Sequence, residues 1–458
     1  MGSAAHATGN SGSPALSGTG KGDVVNARVS TVRDVGSEAV ARELCPTVFA
    51  SLRRSDQRRK AEQYVLGLLT VPGRKSIRKI AARTRGDADD HPSTAAVEQS
   101  LQHFVSCSTW PWADVRAALA RHMESALRPT AWVVRPLVIP KAGSHSVGVA
   151  RRTLPGLGSP VNCQEAHGLW LANEVAGAPV NWRLQIPTEW LDSPTRRREG
   201  GIPDDEPRLT PDGAAANTAL EVAAGWGLTR RPIVVDLFPT DRPTHRPGDA
   251  PHGAPGGAST AAVSVLSAAG LPFVVRIGAD TDVGTPADIA LSGYRRRTVA
   301  AHHVMSAVHR LRRAVEWTDP ASGLVRTSLV AKVPVNLTGG TVRRAAGGER
   351  PLVLVGEWDK AGGRPARFWL TDLVDAPAGV LLRLTKLTRR VDRDLVDLTD
   401  EVGVRDFEGR TYPGWHRHTT LASVAHAVRL LATAHALHPA AAARVPLRLP
   451  ATAALRTG

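Results

Sequence analysis

The residues most able to do chemistry are cations. Arg53-Arg54, Arg58-Arg59-Lys60, Arg74-Lys75 and Arg78-Lys79 follow one another closely, and Lys141, Arg151 and Arg152 lie further on. Such groups neutralise phosphates and release counterions, which gives affinity for duplex DNA without sequence information. On a helix the same runs can equally form a solvated face. The whole chain leans the same way: 458 residues carry 58 Lys+Arg against 42 Asp+Glu, a formal net charge of +16. That balance favours a polyanionic partner, with nucleic acid ahead of an anionic membrane. No run of about 18 apolar residues is present, and the first residues lack the basic-then-apolar order of a signal peptide, so a soluble, cytoplasmic protein is expected. Cys45, Cys107 and Cys163 are far apart, and His416 and His418, like His302 and His303, fit no zinc spacing. Trp182, Trp190, Trp358, Trp369 and Trp415 read as packing residues rather than base-stacking platforms.

These groups need elements to hold them. Residues 1–42 are rich in Gly, Ser, Ala and Thr and read as a disordered arm. From 43 to 130 apolar residues recur at helical spacing, as in Ala61, Tyr64, Val65 and Leu68, giving a helical DNA-binding domain. Then AWVVRPLVIP, HSVGVARR and VNCQEAHGLWL read as three consecutive strands of an antiparallel meander. A polar stretch, a helix at about 214–226, the buried strand PIVVDLF and the strand LPFVVRI follow. This order indicates an α/β domain with a mixed sheet, as in ribonuclease H-like folds, over 131–290. The Pro- and Gly-rich segment 239–258 reads as a mobile loop. Residues 291–376 read as a β-rich insertion whose strands PLVLVGEW and ARFWLTDL are joined by DKAGGRP. The core closes over 377–437 with helices at about 380–402 and 418–437, and 438–458 form a tail.

Several segments, in order, carry a resemblance to a known family. They are SLRRSDQRRKAEQYVLGLL, QSLQHFVSCSTWPW, WVV followed by IPKAGSHSVGVARR, NCQ, NWRLQIPTEW with DSPTRRREGGIP, the strand ending at Asp236, FWLTDL, and DFEGRTYPGWHRHTTL. Together they resemble the 701-type insertion-sequence transposases of the DDE superfamily over about 46–437. The resemblance implies a ribonuclease H-like core with an acid on the first strand, an acid on the fourth and a glutamate on a late helix. Phosphoryl transfer needs those carboxylates to hold two magnesium ions about 3.5–4 Å apart.

The chain departs from the family's pattern at those positions. Two aspartates after WVV are replaced by Arg135 and Pro136, the fourth-strand acid is retained as Asp236, and counting back from FEGR puts Asp392 where the glutamate belongs. Read from the residues alone, Asp236 could cap a strand end, and Asp392, among Arg389, Arg390 and Arg393, could be a solvated helix ion pair. Glu165, beside His167, is the nearest new acid in the core. Arg135 is expected to fill the vacated site and pair with Asp236, with Asp392 as a second partner. Unit charges repel by roughly 4 kcal/mol at about 4 Å and an effective dielectric near 20, and a divalent ion beside Arg135 would feel about twice that.

The leading expectation is a transposase-like DNA-binding protein without catalysis, with Asp236 and Asp392 as remnant acids and no metal or cofactor. Its partner would be double-stranded DNA and not a membrane, with a homodimer left open. One alternative is an active DDE transposase with a relocated acid, which would use magnesium at insertion-sequence ends. Another is a scaffold or a new activity in the altered cavity, without DNA.

Overall fold

Trp132, Val133 and Val134 have no polar face, so a strand containing them must be covered on both sides. The chain buries them as the middle of one mixed sheet. The computed structural model describes residues 36–84, 93–153, 159–238, 259–284, 298–337, 351–359 and 363–437. Five helices lead in: α1 (36–48), α2 (Ser55–Thr70), α3 (Ile77–Thr84), α4 (Thr94–Ser106) and α5 (Trp112–Leu127). The first already includes residues assigned above to a disordered arm. Val40, Leu44 and Val48 fall on one helical face and are buried, which is enough to order that segment. Residues 1–35 and 438–458 and the proposed loop 239–258 lie outside the described residues.

Strands β1 (Ala131–Pro140), β2 (Ala150–Arg152), β3 (Val161–Ala172) and β4 (Gly177–Leu184) come next. They do not form the consecutive meander expected. β3 pairs antiparallel with β1, β4 and the short β2, and β4 was missed altogether. Gly177 and Pro179 disguise β4 as loop, while the turn before it is closed by the Asn173 carboxamide, which accepts from the Val175 and Ala176 amides. After α6 (Thr188–Leu191), α7 (Pro194–Gly200) and α8 (Pro211–Gly225) comes β5 (Ile233–Val235), parallel to β1. After α9 (Ser259–Ala268) comes β6 (Phe273–Ile277), parallel to β5. The order β4-β3-β1-β5-β6, antiparallel on one side of β1 and parallel on the other, is compatible with a ribonuclease H-like nuclease fold.

The sheet continues past β6. Following β7 (Asp282–Gly284), β8 (Thr298–Ala300) and α10 (Ala301–Ala307), strands β9 (Arg313–Thr318), β10 (Val325–Leu337), β11 (Leu352–Trp358) and β12 (Arg367–Thr371) add antiparallel neighbours, with β12 against β6. These added strands begin at β7, ahead of residue 291. The described residues close with α11 (Ala378–Asp397), extended by a π-helical turn at Leu398–Val402, and α12 (Tyr412–Leu437). The last helix starts ahead of the expected 418 because Pro413 sits in its first turn, where its missing N–H costs nothing.

Buried polar contacts tie the early helices to α12. Arg116 on α5 donates to Thr420 Oγ1 at 2.7 Å, Asn181 Oδ1 at 3.0 Å, the Trp182 carbonyl at 2.8 Å and the His416 carbonyl at 3.0 Å. Tyr64 on α2 lies 3.0 Å from His418 Nδ1, while His418 Nε2 faces the Gly403 and Val404 carbonyls at 3.2 Å. Carbonyls only accept, so Nε2 carries the proton and Nδ1 accepts from the tyrosine. Among the described residues, no helix is long and apolar enough to cross a membrane.

Candidate functional site

The parallel pairing of β1 with β5 ends at Val134 and Val235, which leaves Arg135, midway along the longer β1, and Asp236, at the carboxyl end of β5, side by side just beyond the last rung. Loops and ligand sites collect there in open α/β sheets. Pro136 also lies past the end of β5, so its missing amide donor disrupts no rung on that side. On the other side it faces His167 of β3.

Helix α11 crosses this edge with Asp392 pointing at Arg135. The Arg135 side chain is 3 % exposed. It forks onto Asp392 through Nε–Oδ1 at 2.7 Å and Nη2–Oδ2 at 3.1 Å. Its Nη1 lies 3.0 Å from Asp236 Oδ2 and also donates to the Asp236 carbonyl at 2.6 Å. One planar guanidinium thus bridges both acids, a geometry that an ammonium cannot reproduce. Burial pushes the Asp392 carboxyl above the usual carboxylate range, and the Arg135 charge opposes that rise.

A second cation holds Asp236 from the adjacent strand. Arg276 of β6 places Nη1 3.2 and 3.3 Å from the two carboxylate oxygens, and its guanidinium lies over the Phe238 ring at 4.6 Å. Reading the sequence missed Arg276, although a lone arginine in the apolar run LPFVVRI was a usable signal. It also missed the Glu357 cluster. That carboxylate is 1 % exposed, accepts from Ser328 Oγ at 2.9 Å, and pairs with Lys386 of α11. Lys386 Nζ sits 4.4 Å from the Trp317 ring centroid. Asp319 is gripped in the same way by the Arg389 fork, at 3.1 and 2.9 Å.

Glu165 pairs with Arg152 at 3.2 Å and does not line the cavity around Arg135, so it is not brought to Asp236 and Asp392. His416 and His418 are buried in α12 within the network described above. Trp182, Trp190, Trp358, Trp369 and Trp415 are all buried. Arg53, Arg59, Arg78, Lys79 and Arg151 are exposed, Arg54 and Lys60 both reach Asp56, and Arg74 pairs with Glu408 at 3.0 Å. Arg58 turns back onto the Leu52 and Arg53 carbonyls. Two of the expected phosphate contacts need correction. Lys75 is 4 % exposed, with its ammonium on the Val71 carbonyl and its amide on Asp406, and Lys141 donates to the Phe407 carbonyl at 2.8 Å. The Lys75 ammonium thus closes the end of α2, while the Lys75 amide and the Lys141 ammonium tie their segments to the stretch before α12, which charge patterning alone does not reveal.

The donor set does not suit a pair of magnesium ions. The acids here are Asp236, after β5, and Asp392, on α11; both are engaged by Arg135, and a guanidinium has no lone pair to offer a metal. Among the described residues, no group of three or more His, Cys, Asp or Glu is arranged to hold a metal. Residues 47–238 match the family described as DDE superfamily endonuclease. This similarity supports a relationship to the DDE transposase-type superfamily. It takes in Arg135 and Asp236 and stops short of Asp392. No curated protein matches the chain.

Proposed function

We propose that this chain is a transposase-like protein that binds double-stranded DNA and does not cut it, in the manner of a relic or of a protein recruited to hold DNA. The observation that carries the reading is the Arg135 bridge between Asp236 and Asp392, in the position where the resemblance calls for metal ligands. Hydrolysis or strand transfer of a phosphodiester in that superfamily relies on carboxylate-held divalent ions to activate the nucleophile and steady the leaving oxygen. A site whose acids are neutralised by arginine supplies neither service. Affinity for the duplex requires only cations facing outward, and the match to DDE superfamily endonucleases together with the net charge of +16 supports DNA as the partner.

Exposed Arg53 and Arg59 beside and on α2, with Arg78 and Lys79 on α3, are the phosphate-binding groups we assign. Fluorescence anisotropy with duplexes of unrelated sequence, repeated at several salt concentrations, tests this. Replacing all of these residues with Ala should weaken every duplex alike and shallow the log–log salt dependence by about one unit for each phosphate that is no longer neutralised. Unchanged affinity and slope would mean that this face is merely solvated.

A further inference from the structure

The ion-pair cluster opens into a cavity of about 240 Å³, and its wall presents Arg135, Arg276, Arg367, Lys386, Arg389 and Arg393. The carboxylates in that wall are Asp236 and Asp392. Three more acids stand behind it: Asp319 under Arg389 and Arg326, Glu357 under Lys386 and Arg367, and Asp359 beside Arg367. Among the described residues, and with Arg326 included, seven cations and five carboxylates meet here, and Arg393 is the cation that stands outside these ion pairs.

We propose that this cavity is a phosphoryl-anion site, in which arginines and a lysine provide the positive charge that metal ions would otherwise bring to a phosphate. The inference rests on the reading above that the site no longer holds metal. Lys386, Arg389 and Arg393 follow at i, i+3 and i+7 on α11, so one helical face presents them together. Arg393 stands at the exposed end of that row. Its side chain meets the Ala321 carbonyl and, among the described residues, no carboxylate, so its charge remains available to a ligand at the mouth. The fork of a guanidinium matches two phosphate oxygens, and low-dielectric walls such as Trp369 strengthen the attraction. The volume is below the roughly 300–1,000 Å³ of sites for drug-sized ligands, which suits a phosphate group better than a whole nucleotide. Two sources share this chemistry: free inorganic phosphate, and the terminal phosphate of a DNA strand.

The test is calorimetric titration of the full chain with inorganic phosphate, in a chelator-containing buffer that is otherwise free of anions of this kind. Saturable one-to-one binding is expected, weakened at least about tenfold by Arg393→Glu and less by Arg393→Gln. Both substitutions lie at an exposed position and should leave the fold intact. A parallel arm compares duplexes of one sequence with 5′-phosphate or 5′-hydroxyl ends. Tighter binding of the phosphorylated duplex, relieved by free phosphate, identifies the DNA end as the source, and equal binding with intact phosphate titration identifies the free anion. No saturable phosphate binding by the wild type, or equal affinity in Arg393→Glu, would overturn the proposal. Loss of duplex binding with phosphate binding intact would instead count against the DNA-binding reading alone.

Discussion

Replacing Arg135 with Met should lower the stability of the fold by about 3–5 kcal/mol at pH 7, the range expected when one partner of a buried ion pair is removed and the other charge is left without compensation. Here the penalty falls on two carboxylates at once. Asp392 loses its fork, and Asp236 keeps Arg276 but loses the cation bridging it to Asp392. The methionine retains most of the apolar stem, so the loss reports charge rather than a void. The sign of the pH dependence follows. Burial already holds the Asp392 carboxyl above its ordinary range against the pull of Arg135, so removing Arg135 raises it further. A carboxyl whose folded value is raised adds stability that is fully present below the unfolded value, near 4, and lost as pH rises through the folded value. The difference between variant and wild type should therefore shrink between pH 7 and pH 5. Adding Asp236→Asn and Asp392→Asn should recover most of the loss at pH 7. Denaturant midpoints with unchanged m-values measure all three proteins. A loss below about 1 kcal/mol for the single variant would mean that the bridge adds little and that Asp236 and Asp392 are held by other means.

Acid should destabilise the wild type steeply. Burial pushes His167 down to about 3, with Arg183 and Arg152 adding to it, and pushes His418 down to about 4. His416 is driven well below the ordinary histidine range, by burial first and then by Arg116, Arg183 and Arg417. In the unfolded chain each imidazole takes a proton near pH 6.5, while in the fold it stays neutral. A depressed folded value gives stability that is present above the unfolded value and lost as pH falls, because the unfolded state then binds protons that the folded state refuses. Near pH 5 each of these groups should contribute a slope approaching 1.4 kcal/mol per pH unit, or about 4 kcal/mol per unit for the three together. Urea titrations at intervals from pH 6.5 to pH 4.5 would show the fall. A stability that stayed flat from pH 6.5 to pH 5 would place these rings in contact with water. The neutral state also serves the structure, since His418 Nδ1 can accept from Tyr64 only when unprotonated.

The parts of the fold legible in the sequence were those whose burial writes an unbroken apolar run. PIVVDLF and LPFVVRI declare parallel inner strands because both faces of each are covered. β4 was hidden by the residues that make its turn and edge work, and α1 by composition averaged over a long glycine- and serine-rich stretch. The site was partly legible. The WVV segment fixed where a ligand should stand, and counting back from FEGR reached Asp392 on α11. The supporting cations could not be read off in this way. Arg276 and Asp236 are 40 residues apart in the chain, and Glu357 and Lys386 are 29 apart. Each pair meets only because β5 and β6 are neighbours or because α11 crosses the added strands, and neither relation leaves a local pattern. Lys75 shows the opposite error, a basic run that reads as surface and supplies a buried tie.

Whether arginine has taken the place of metal between β1, β5 and α11 is decided by a cleavage assay on DNA that is demonstrably bound. Supercoiled plasmid carrying the sequences that flank the gene would be saturated with the wild-type protein, as judged by mobility shift, and incubated with magnesium. The plasmid is expected to be retarded in the gel and, after the protein is removed, to remain fully supercoiled. Nicked or linear DNA that appears with magnesium and disappears with chelator would contradict it, because it would require a working metal centre where Arg135 now bridges Asp236 and Asp392.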